Sequence, residues 1–290
     1  MPFEPMTIGS RTFDFTRPYI VGIINVTPDS FSDGGRWLDA GEAVRRGLEL
    51  VEEGADIVDV GGESTRPGAR PVPAPEEKER VLPVIRQLRR AAAVPISIDT
   101  TKAEVAEAAL GEGADLVNDV SALRFDPELA AVAARHGAPV VLMHSRRTPA
   151  DMQQQIAYRD LMGEIVRELG EAMRTAVEHG VGRASLIVDP GLGFAKTAEH
   201  NLQVLAGLER LASLGRPVMV GPSRKSFIGH VTGAPVSDRA GGTAAAVAAA
   251  VLAGANFLRV HDVRVMKQAA EIAFSIRKSH SRATEETDRA

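Results

Sequence analysis

Residues 55–68, ADIVDVGGESTRPG, show in one segment a pattern that recurs along the chain: a short apolar run, a glycine turn and a polar loop. Seven further runs, rich in Val and Ile, stop in nearly every case at a polar residue or a glycine. Runs of this kind, without alternation, are typical of strands buried on both faces, as parallel strands are. The eight runs begin near residues 19, 56, 94, 115, 138, 185, 216 and 256.

Helical patterns lie between most of these runs, so the chain alternates strand and helix. They cover residues 41–53, 101–110, 128–135, 158–178, 198–211 and 242–252. Thr101 and Glu104 have the spacing of a capping box, which predicts the start of the second helix. The alternation indicates a parallel sheet with right-handed crossovers. The predicted fold is α/β, a TIM (β/α)8 barrel, with residues 6–16 as a short N-terminal β-hairpin that plugs its bottom.

Three joints between a helix and the next strand are nearly identical: Gly-Ala-Asp at 54–56 and 113–115, and Gly-Ala-Asn at 254–256. The glycine ends the helix in a left-handed conformation, and the chain turns directly into a strand. This weak repeat supports the fold and carries no functional signal. We expect residues 1–278 to form one barrel domain and the polar residues 279–290 to form a disordered tail.

Composition restricts the class of function. The 290 residues carry a formal net charge of −4, which gives no reason to expect a nucleic acid or an anionic membrane as a partner. The chain contains no cysteine, which excludes disulfides, thiolate catalysis and cysteine-ligated zinc. No apolar run reaches the roughly 20 residues of a membrane span, and no signal peptide is apparent. We therefore expect a cytoplasmic protein.

Polar side chains end several of the apolar runs. Asp99, Asn118 and Asp189 are three of them. Each one alone is explained as well by helix capping or a turn. The carboxyl ends of barrel strands meet at one rim, where this fold keeps its active sites, so the three would line one pocket. Such a pocket suits a flat heterocycle with several N–H donors, because buried polar groups need partners.

A second group of residues suits an anion. These residues follow the second, seventh and eighth runs: Thr65, Arg66, Lys225, Arg259 and His261. Arginine and helix N-termini bind phosphate oxygens, and barrel phosphate sites often follow strands seven and eight. Arginine beside glycine is also common in plain surface loops, and a lone histidine at a strand end is usually structural.

Three connections after strands are long, namely residues 26–40, 61–76 and 144–157, whereas the joints before strands are short. Long loops on one face mark the working face of a barrel. The first loop is rich in acidic and hydroxyl side chains whose oxygens suit Mg²⁺, although a solvated turn explains it equally well. His144, which precedes the third loop, is interpreted as a packed or capping residue.

Several segments together resemble the dihydropteroate synthase family of folate biosynthesis, over roughly residues 19–275. The resemblance rests on GIINVTPDSFSDGG (22–35), GGESTRPGA (61–69), ISIDT (96–100), VNDVSA (117–122), VDPGLGFAKT (188–197), SRKSFIG (223–229) and LRVHDV (258–263). It implies a transferase that joins 6-hydroxymethyl-7,8-dihydropterin pyrophosphate to p-aminobenzoate by a dissociative, SN1-like substitution. The products would be 7,8-dihydropteroate and pyrophosphate.

The resemblance also implies roles for individual residues. The substrate ligands would be Asp99, Asn118, Asp189 and Lys225 for the pterin, Thr65, Arg66, Arg259 and His261 for the leaving group, and Pro67, Phe194 and Ser226 for p-aminobenzoate, where sulfonamides also bind in this family. Asn25 would ligate Mg²⁺ together with the pyrophosphate. Asp33 would stabilise the electron-poor pterin as the pyrophosphate departs.

Two other functions fit parts of the pattern. Pterin-binding methyltransferases that serve a corrinoid share the pterin-holding positions, but they typically lack the lysine found here at Lys225. A non-catalytic pterin-binding paralogue is the second alternative, and the complete set of loops argues against it. One departure from the family is the sequence Ser-Arg-Arg-Thr-Pro after His144, which affects the shape of that loop. We also expect a homodimer, because the Ala-rich segment 243–253 would allow close helix packing; burial against the barrel is the alternative.

Overall fold

Eight parallel strands form a sheet that curls into a barrel in the computed structural model, which describes residues 3–27, 36–66, 68–147 and 156–287. After an N-terminal hairpin of β1 Met6–Ile8 and β2 Arg11–Phe13, the barrel strands are β3 Tyr19–Asn25, β4 Ile57–Gly61, β5 Ile96–Asp99, β6 Leu116–Asp119, β7 Val140–Met143, β8 Leu186–Asp189, β9 Met219–Val220 and β10 Phe257–Val260. Their order in the sheet is β8-β7-β6-β5-β4-β3-β10-β9, and a parallel bridge between Val188 and Val218 joins the two ends. The predicted barrel and its eight strands are confirmed.

Helices cover the outside of the barrel. They are α1 Arg36–Glu53, α2 Ala74–Ala91, α3 Ala103–Gly111, α4 Glu128–His136, α5 Leu161–Glu178, α6 Ala198–Ala206, α7 Ser226–Thr232, α8 Ala240–Leu252 and α9 Val263–Thr287. Helix α1 begins inside the segment predicted as loop, and a 3₁₀ turn, Leu208–Leu214, follows the shortened α6. Helix α9 continues through most of the segment 279–290, for which the sequence predicted disorder; the domain boundary at 278 stays a prediction. Within the described ranges, no helix is long and apolar enough to cross a bilayer.

The capping box predicted at Thr101 is wrong. Helix α3 begins at Ala103, and the residue before it, Lys102, makes no side-chain capping bond. The main-chain N–H of Ala103 instead donates to Asp126 Oδ2 at 2.8 Å, from the loop that precedes α4. The cap is therefore supplied by a residue distant in sequence, which local spacing could not reveal.

The repeated joints have a structural role at the lower end of the barrel. In all three, the glycine has a φ of +101° to +106°, the left-handed region that glycine tolerates. In all three, the side-chain oxygen of the Asp or Asn accepts a main-chain N–H of a neighbouring strand. The pairs are Asp56 with Ile20, Asp115 with Ile96, and Asn256 with Val218, at 2.8, 2.9 and 2.9 Å. The repeat thus fastens adjacent strands where the barrel starts.

Replacing Asn256 by alanine is expected to lower the free energy of unfolding by about 1–3 kcal/mol, because the N–H of Val218 would lose its acceptor in a buried place. Urea unfolding followed by circular dichroism measures the loss. Asn256→Asp is the matched control, since aspartate fills this position at the other two joints and accepts the same kind of bond. Equal losses in the two variants would contradict this role of the side chain.

The lower end of the barrel is closed by the predicted hairpin, which is confirmed. Strands β1 Met6–Ile8 and β2 Arg11–Phe13 pair antiparallel. Phe13 packs against Tyr19 and Phe257, with ring centroids 4.8 and 5.7 Å apart. The buried cluster around it also contains the lower inward residues of the barrel: Val21, Ile57, Leu116, Val141, Ile187 and Met219. An apolar floor is the result, so a polar site can open only at the other end.

Candidate active site

Polar residues lie directly above this apolar floor, toward the carboxyl ends of the strands. Along a strand, residues two apart point to the same side. Two residues beyond the floor residues Ile57, Leu116, Ile187 and Phe257 stand Asp59, Asn118, Asp189 and Arg259. The inward side chains thus change from apolar to polar over two residues of each strand. These polar side chains form the base of a pocket at the carboxyl ends of the strands.

Arg259 is the centre of the hydrogen-bond network in this pocket. Its Nε donates to Asp59 Oδ2 and its Nη2 to Asp99 Oδ2, both at 2.6 Å. Asn118 Nδ2 donates to the same Asp59 oxygen at 3.1 Å. Three predicted residues, from strands β5, β6 and β10, are therefore brought together, and Asp59 of β4 connects them.

Asp59 was missed because the sequence reasoning considered only residues that end an apolar run. It lies inside the run, two positions before Gly61, so it points in the same direction as the strand's last residue. It is fully buried, and its Oδ1 has no hydrogen-bond partner among the residues that the structure describes. An aspartate in the middle of an otherwise apolar buried strand was the available signal.

Asp189 and Lys225 form a second side of the pocket. Asp189 Oδ1 accepts the main-chain N–H of Gly191 at 2.7 Å, so one oxygen fixes the turn after β8. Lys225 places its Nζ 4.3 Å from the centroid of the Phe194 ring. A Cβ on Gly193 would lie 2.9 Å from Lys225 Cδ, which explains the glycine at this point of the turn. Phe194 and Lys225 are therefore adjacent, as their implied roles require.

The electrostatics of the pocket follow from burial. Removal from water raises the pKa of Asp99 to about 7, although Arg259 opposes the shift, and raises that of Asp189 to about 6. Burial also lowers the pKa of Lys225 to about 8, helped by repulsion from Arg259. For Arg259, burial acts against the charge, but Asp59 and Asp99 outweigh it and raise the pKa. Such perturbed groups in one cleft are typical of functional sites.

His261 lies at the pocket and is held in place by Ser223. Its Nδ1 lies 2.9 Å from Ser223 Oγ, and the same hydroxyl accepts the His261 main-chain N–H at 3.2 Å. Burial, with repulsion from Arg224 and Arg259, lowers its pKa to about 3. The His261 ring is therefore neutral in this environment, and its role at the leaving group stays a prediction.

The remaining predicted site residues that the structure describes lie around the same rim. Asn25 ends β3 and stands in register with Gly61, the last residue of β4. Thr65 and the exposed Arg66 lie on the loop that follows β4, and Ser226 is the exposed first residue of α7. Asp33 and Pro67 lie outside the described residues.

No group of three or more His, Cys, Asp or Glu side chains that could hold a metal occurs in the part of the chain that the structure covers. Asn25 offers one amide oxygen at the rim, a hard ligand of the type that Mg²⁺ accepts. Mg²⁺ is usually held by one or two carboxylates together with substrate phosphates and waters. Asn25 would therefore hold such an ion only together with oxygens of a bound ligand.

Comparison with known proteins identifies the class. The family model described as pterin binding enzyme matches residues 21–261, so the chain belongs to the pterin-binding enzyme family. A relative named dihydropteroate synthase, from Synechocystis, is 48% identical over 93% of this chain and 94% of its own length. The eight-stranded parallel barrel agrees with this assignment.

Two solved structures extend the comparison. The Xanthomonas albilineans dihydropteroate synthase with 4-aminobenzoic acid is 45% identical, with a TM-score of 0.88 over 94% of this chain and 97% of that one. The enzyme from the same organism in complex with 7,8-dihydropteroate is 42% identical, with a TM-score of 0.85 over 94% and 98%. Among pterin-binding enzymes, this chain is thus similar to those named dihydropteroate synthase.

Proposed function

We propose that the chain catalyses the condensation of 6-hydroxymethyl-7,8-dihydropterin pyrophosphate with p-aminobenzoate to 7,8-dihydropteroate and pyrophosphate. The observation that carries the proposal is the single pocket in which Asp59, Asp99, Asn118 and Arg259 are hydrogen-bonded to one another. Relatives with the dihydropteroate synthase name match over nearly the full length of the chain.

The pterin is proposed to occupy the deepest part of the pocket. Asp189 has one oxygen engaged with Gly191, and its carboxylate can accept the N–H groups of a 2-amino-pyrimidinone edge. Asn118 offers an amide for a ring nitrogen or carbonyl, and Lys225 can donate to the pterin carbonyl. Asp99 completes the set from β5. Asn118, Asp189 and Asp99 are already held by hydrogen bonds to Asp59, Gly191 and Arg259, so binding costs little reorganisation of these three side chains.

The diphosphate is proposed to lie at the rim beside Arg259. Two nitrogens of that guanidinium hold Asp59 and Asp99; within the described ranges the third, Nη1, has no hydrogen-bond partner and can donate to a phosphate oxygen. Thr65, Arg66 and the neutral His261 would add further donors. Mg²⁺, held through Asn25, would supply charge neutralisation of the diphosphate when bound.

The reaction is proposed to be dissociative. The C–O bond to diphosphate breaks first, as donors aimed at the departing oxygens stabilise the charge that develops there. The arylamine nitrogen, already a nucleophile, then forms the C–N bond, and its proton passes to the released diphosphate or to water. Phe194, Pro67 and Ser226 would position the arylamine, and Asp33 would stabilise the electron-poor pterin. Loops over the rim would exclude water, which competes with the amine.

The direct test mixes pterin pyrophosphate, p-aminobenzoate and Mg²⁺ with the pure protein and follows pyrophosphate release. Release that depends on the arylamine supports the proposal. Tight pterin binding without release would support the binding-only paralogue. Transfer of a methyl group from a methylated folate to a corrinoid would support the methyltransferase alternative.

Pterin affinity is expected to depend on pH through Asp189. Its pKa is raised to about 6, so the ionised form that accepts two N–H groups is lost below that pH. Affinity for 6-hydroxymethylpterin should fall by up to about tenfold per pH unit below pH 6. Calorimetric titrations between pH 5 and about 8 measure it. In Asp189→Asn the affinity should be lower at pH 7.5 and fall less steeply, because Asp99, with a pKa of about 7, still titrates there; the same slope in both proteins would contradict the role.

A second copy of the chain is the proposed partner in a homodimer. One face of α8 is buried on the barrel through Thr243, Val247 and Val251, whereas the opposite face, with Ala245 and Leu252, is exposed. Neighbouring helices α7 and α9 add further exposed apolar side chains: Val231, Ile272 and Ile276. Sedimentation equilibrium tests the proposal, and a monomer would reject it. The cytoplasmic location and the absence of nucleic-acid or membrane partners stay predictions.

A further inference from the structure

Lys196 is a buried lysine that the proposed mechanism does not use. It lies in the turn after β8, two residues beyond Phe194, and only 2% of its surface is exposed. Its Nζ donates to the main-chain oxygen of Phe194 at 3.1 Å and lies 3.0 Å from His144 Nδ1. Lys196 therefore links the end of β7 to the residue whose ring lies beneath Lys225.

The direction of each hydrogen bond in this network can be assigned. Although burial alone would raise the pKa of Glu168, hydrogen bonds from His144 and Arg146 lower it to about 2, so the carboxylate is ionised. Glu168 Oε2 lies 3.0 Å from His144 Nε2, which must then carry the proton and donate. Burial lowers the pKa of His144 to about 4, so the ring is neutral and its Nδ1 accepts. Lys196 is the donor to that nitrogen.

The same turn is fastened from its other side. The hydroxyl of Tyr158 donates to the main-chain oxygen of Ala195 at 3.0 Å, and Ala195 has a φ of +47°, in the left-handed region. Arg146 stacks on the Tyr158 ring at 4.1 Å and donates to Glu168. The turn at 194–196 thus has a conformation that these contacts impose, rather than one that its own residues favour.

We propose that Lys196 and His144 are positioning residues that hold the Phe194 turn, and through it the Phe194 ring, in place for the arylamine. The inference rests on the proposed arylamine subsite at Phe194. It explains why a lysine occupies a place where an apolar side chain would fill the space without a buried charge. Neither residue contacts the reacting atoms in this account.

The energetic argument favours a functional role for Lys196. Burial lowers its pKa from 10.5 to about 7, so the fold bears a cost for this residue that a methionine would not impose. The titratable and charged groups that face it are His144, Glu168, Arg146, Asp189, Lys225 and His200. A side chain that costs stability and yet orders a turn beside the pocket is typical of functional sites.

The first measurement compares steady-state kinetics of Lys196→Met and His144→Phe with the wild type. Both variants remove the contact between the two side chains. We expect the KM for p-aminobenzoate to rise about tenfold, the effect of one lost hydrogen bond, with a smaller loss of pterin affinity because the Phe194 ring also lies beneath Lys225. His144→Asn should restore most of the wild-type KM, because its Oδ1 can replace Nδ1 as the acceptor.

Arg216→Met is the matched control. Arg216 is also a buried cation that donates to main-chain oxygens, of Ala184 and Leu186, but at the lower end of β8. The Arg216→Met variant should be less stable than the wild type and have an unchanged KM for p-aminobenzoate. A KM for p-aminobenzoate in Lys196→Met within twofold of the wild type, or losses spread equally over all kinetic constants as expected for general damage, would overturn the proposal. An inactive wild type would instead reject the proposed function itself.

A second readout follows the pH dependence of stability. The folded-state pKa of Lys196 lies below its unfolded value, so the cost is fully present below pH 7 and disappears as pH rises toward 10.5. Relative to Lys196→Met, the unfolding equilibrium constant of the wild type should fall by up to about tenfold per pH unit above pH 7. Parallel curves would show that Lys196 is not buried as a titrating amine and would overturn the account.

Discussion

Replacing Arg259 by alanine is expected to lower kcat/KM by about a thousandfold, because the substitution removes the guanidinium that would stabilise the departing diphosphate. The same change leaves Asp59 and Asp99 buried without their cation. Breaking a buried ion pair from one side typically costs about 3–5 kcal/mol, so the free energy of unfolding should fall by a similar amount. The loss in kcat/KM should be larger than the loss in affinity for p-aminobenzoate.

Initial rates at saturating Mg²⁺, with calorimetry for p-aminobenzoate, measure the two effects separately. Arg259→Lys is the informative control: it keeps the charge, but an ammonium cannot bridge two carboxylates and still donate to a phosphate in the fixed geometry of a guanidinium. The Arg259→Lys variant should recover only part of the free energy of unfolding that Arg259→Ala loses, and its kcat/KM should remain low. Equal losses in kcat/KM and in arylamine affinity for Arg259→Ala would reject its role at the leaving group.

Lys225→Ala should weaken binding of 6-hydroxymethylpterin by about 10–150-fold, the range expected for one lost charge-assisted hydrogen bond in a buried site. The side chain is positioned for this contact by Phe194 beneath it and by Gly193, where any Cβ would collide with it. Calorimetry on the variant, without arylamine, gives the affinity directly.

Arg224→Ala is the matched control for Lys225. Arg224 is the preceding residue, it is exposed, and it pairs with Asp262 at 2.6 Å. An exposed ion pair contributes about 0–1 kcal/mol, so its loss should leave pterin affinity nearly unchanged. Similar losses in both variants would show that disturbance of the turn, and not the Lys225 ammonium, controls binding.

Much of the fold was predictable because its signal is local. Each buried parallel strand is a short apolar run, and the polar residue that ends it marks the rim, which placed Asp99, Asn118 and Asp189 correctly. The same local reasoning failed where a partner comes from elsewhere. Helix α3 takes its cap from Asp126, and no spacing within the helix start could indicate that.

The missed parts of the site also depend on three-dimensional context. Asp59 is inside a strand, and only the register of β4 with its neighbours shows that it meets Arg259. Lys196 and His144 are 52 residues apart, and their contact arises from the neighbouring positions of β7 and β8 in the sheet. The neutral state of His261 reflects burial and nearby arginines, which the sequence does not disclose.

The hairpin at the lower end of the barrel has a consequence for the kinetic scheme. Because its side chains fill that opening, substrates and products must pass through the same mouth. If the pterin lies against Asp189 and Asn118 as proposed, it has to enter before the arylamine covers it, so a random order of addition is disfavoured. The product must also leave through the end of the barrel by which both substrates entered, so product release depends on that end being open.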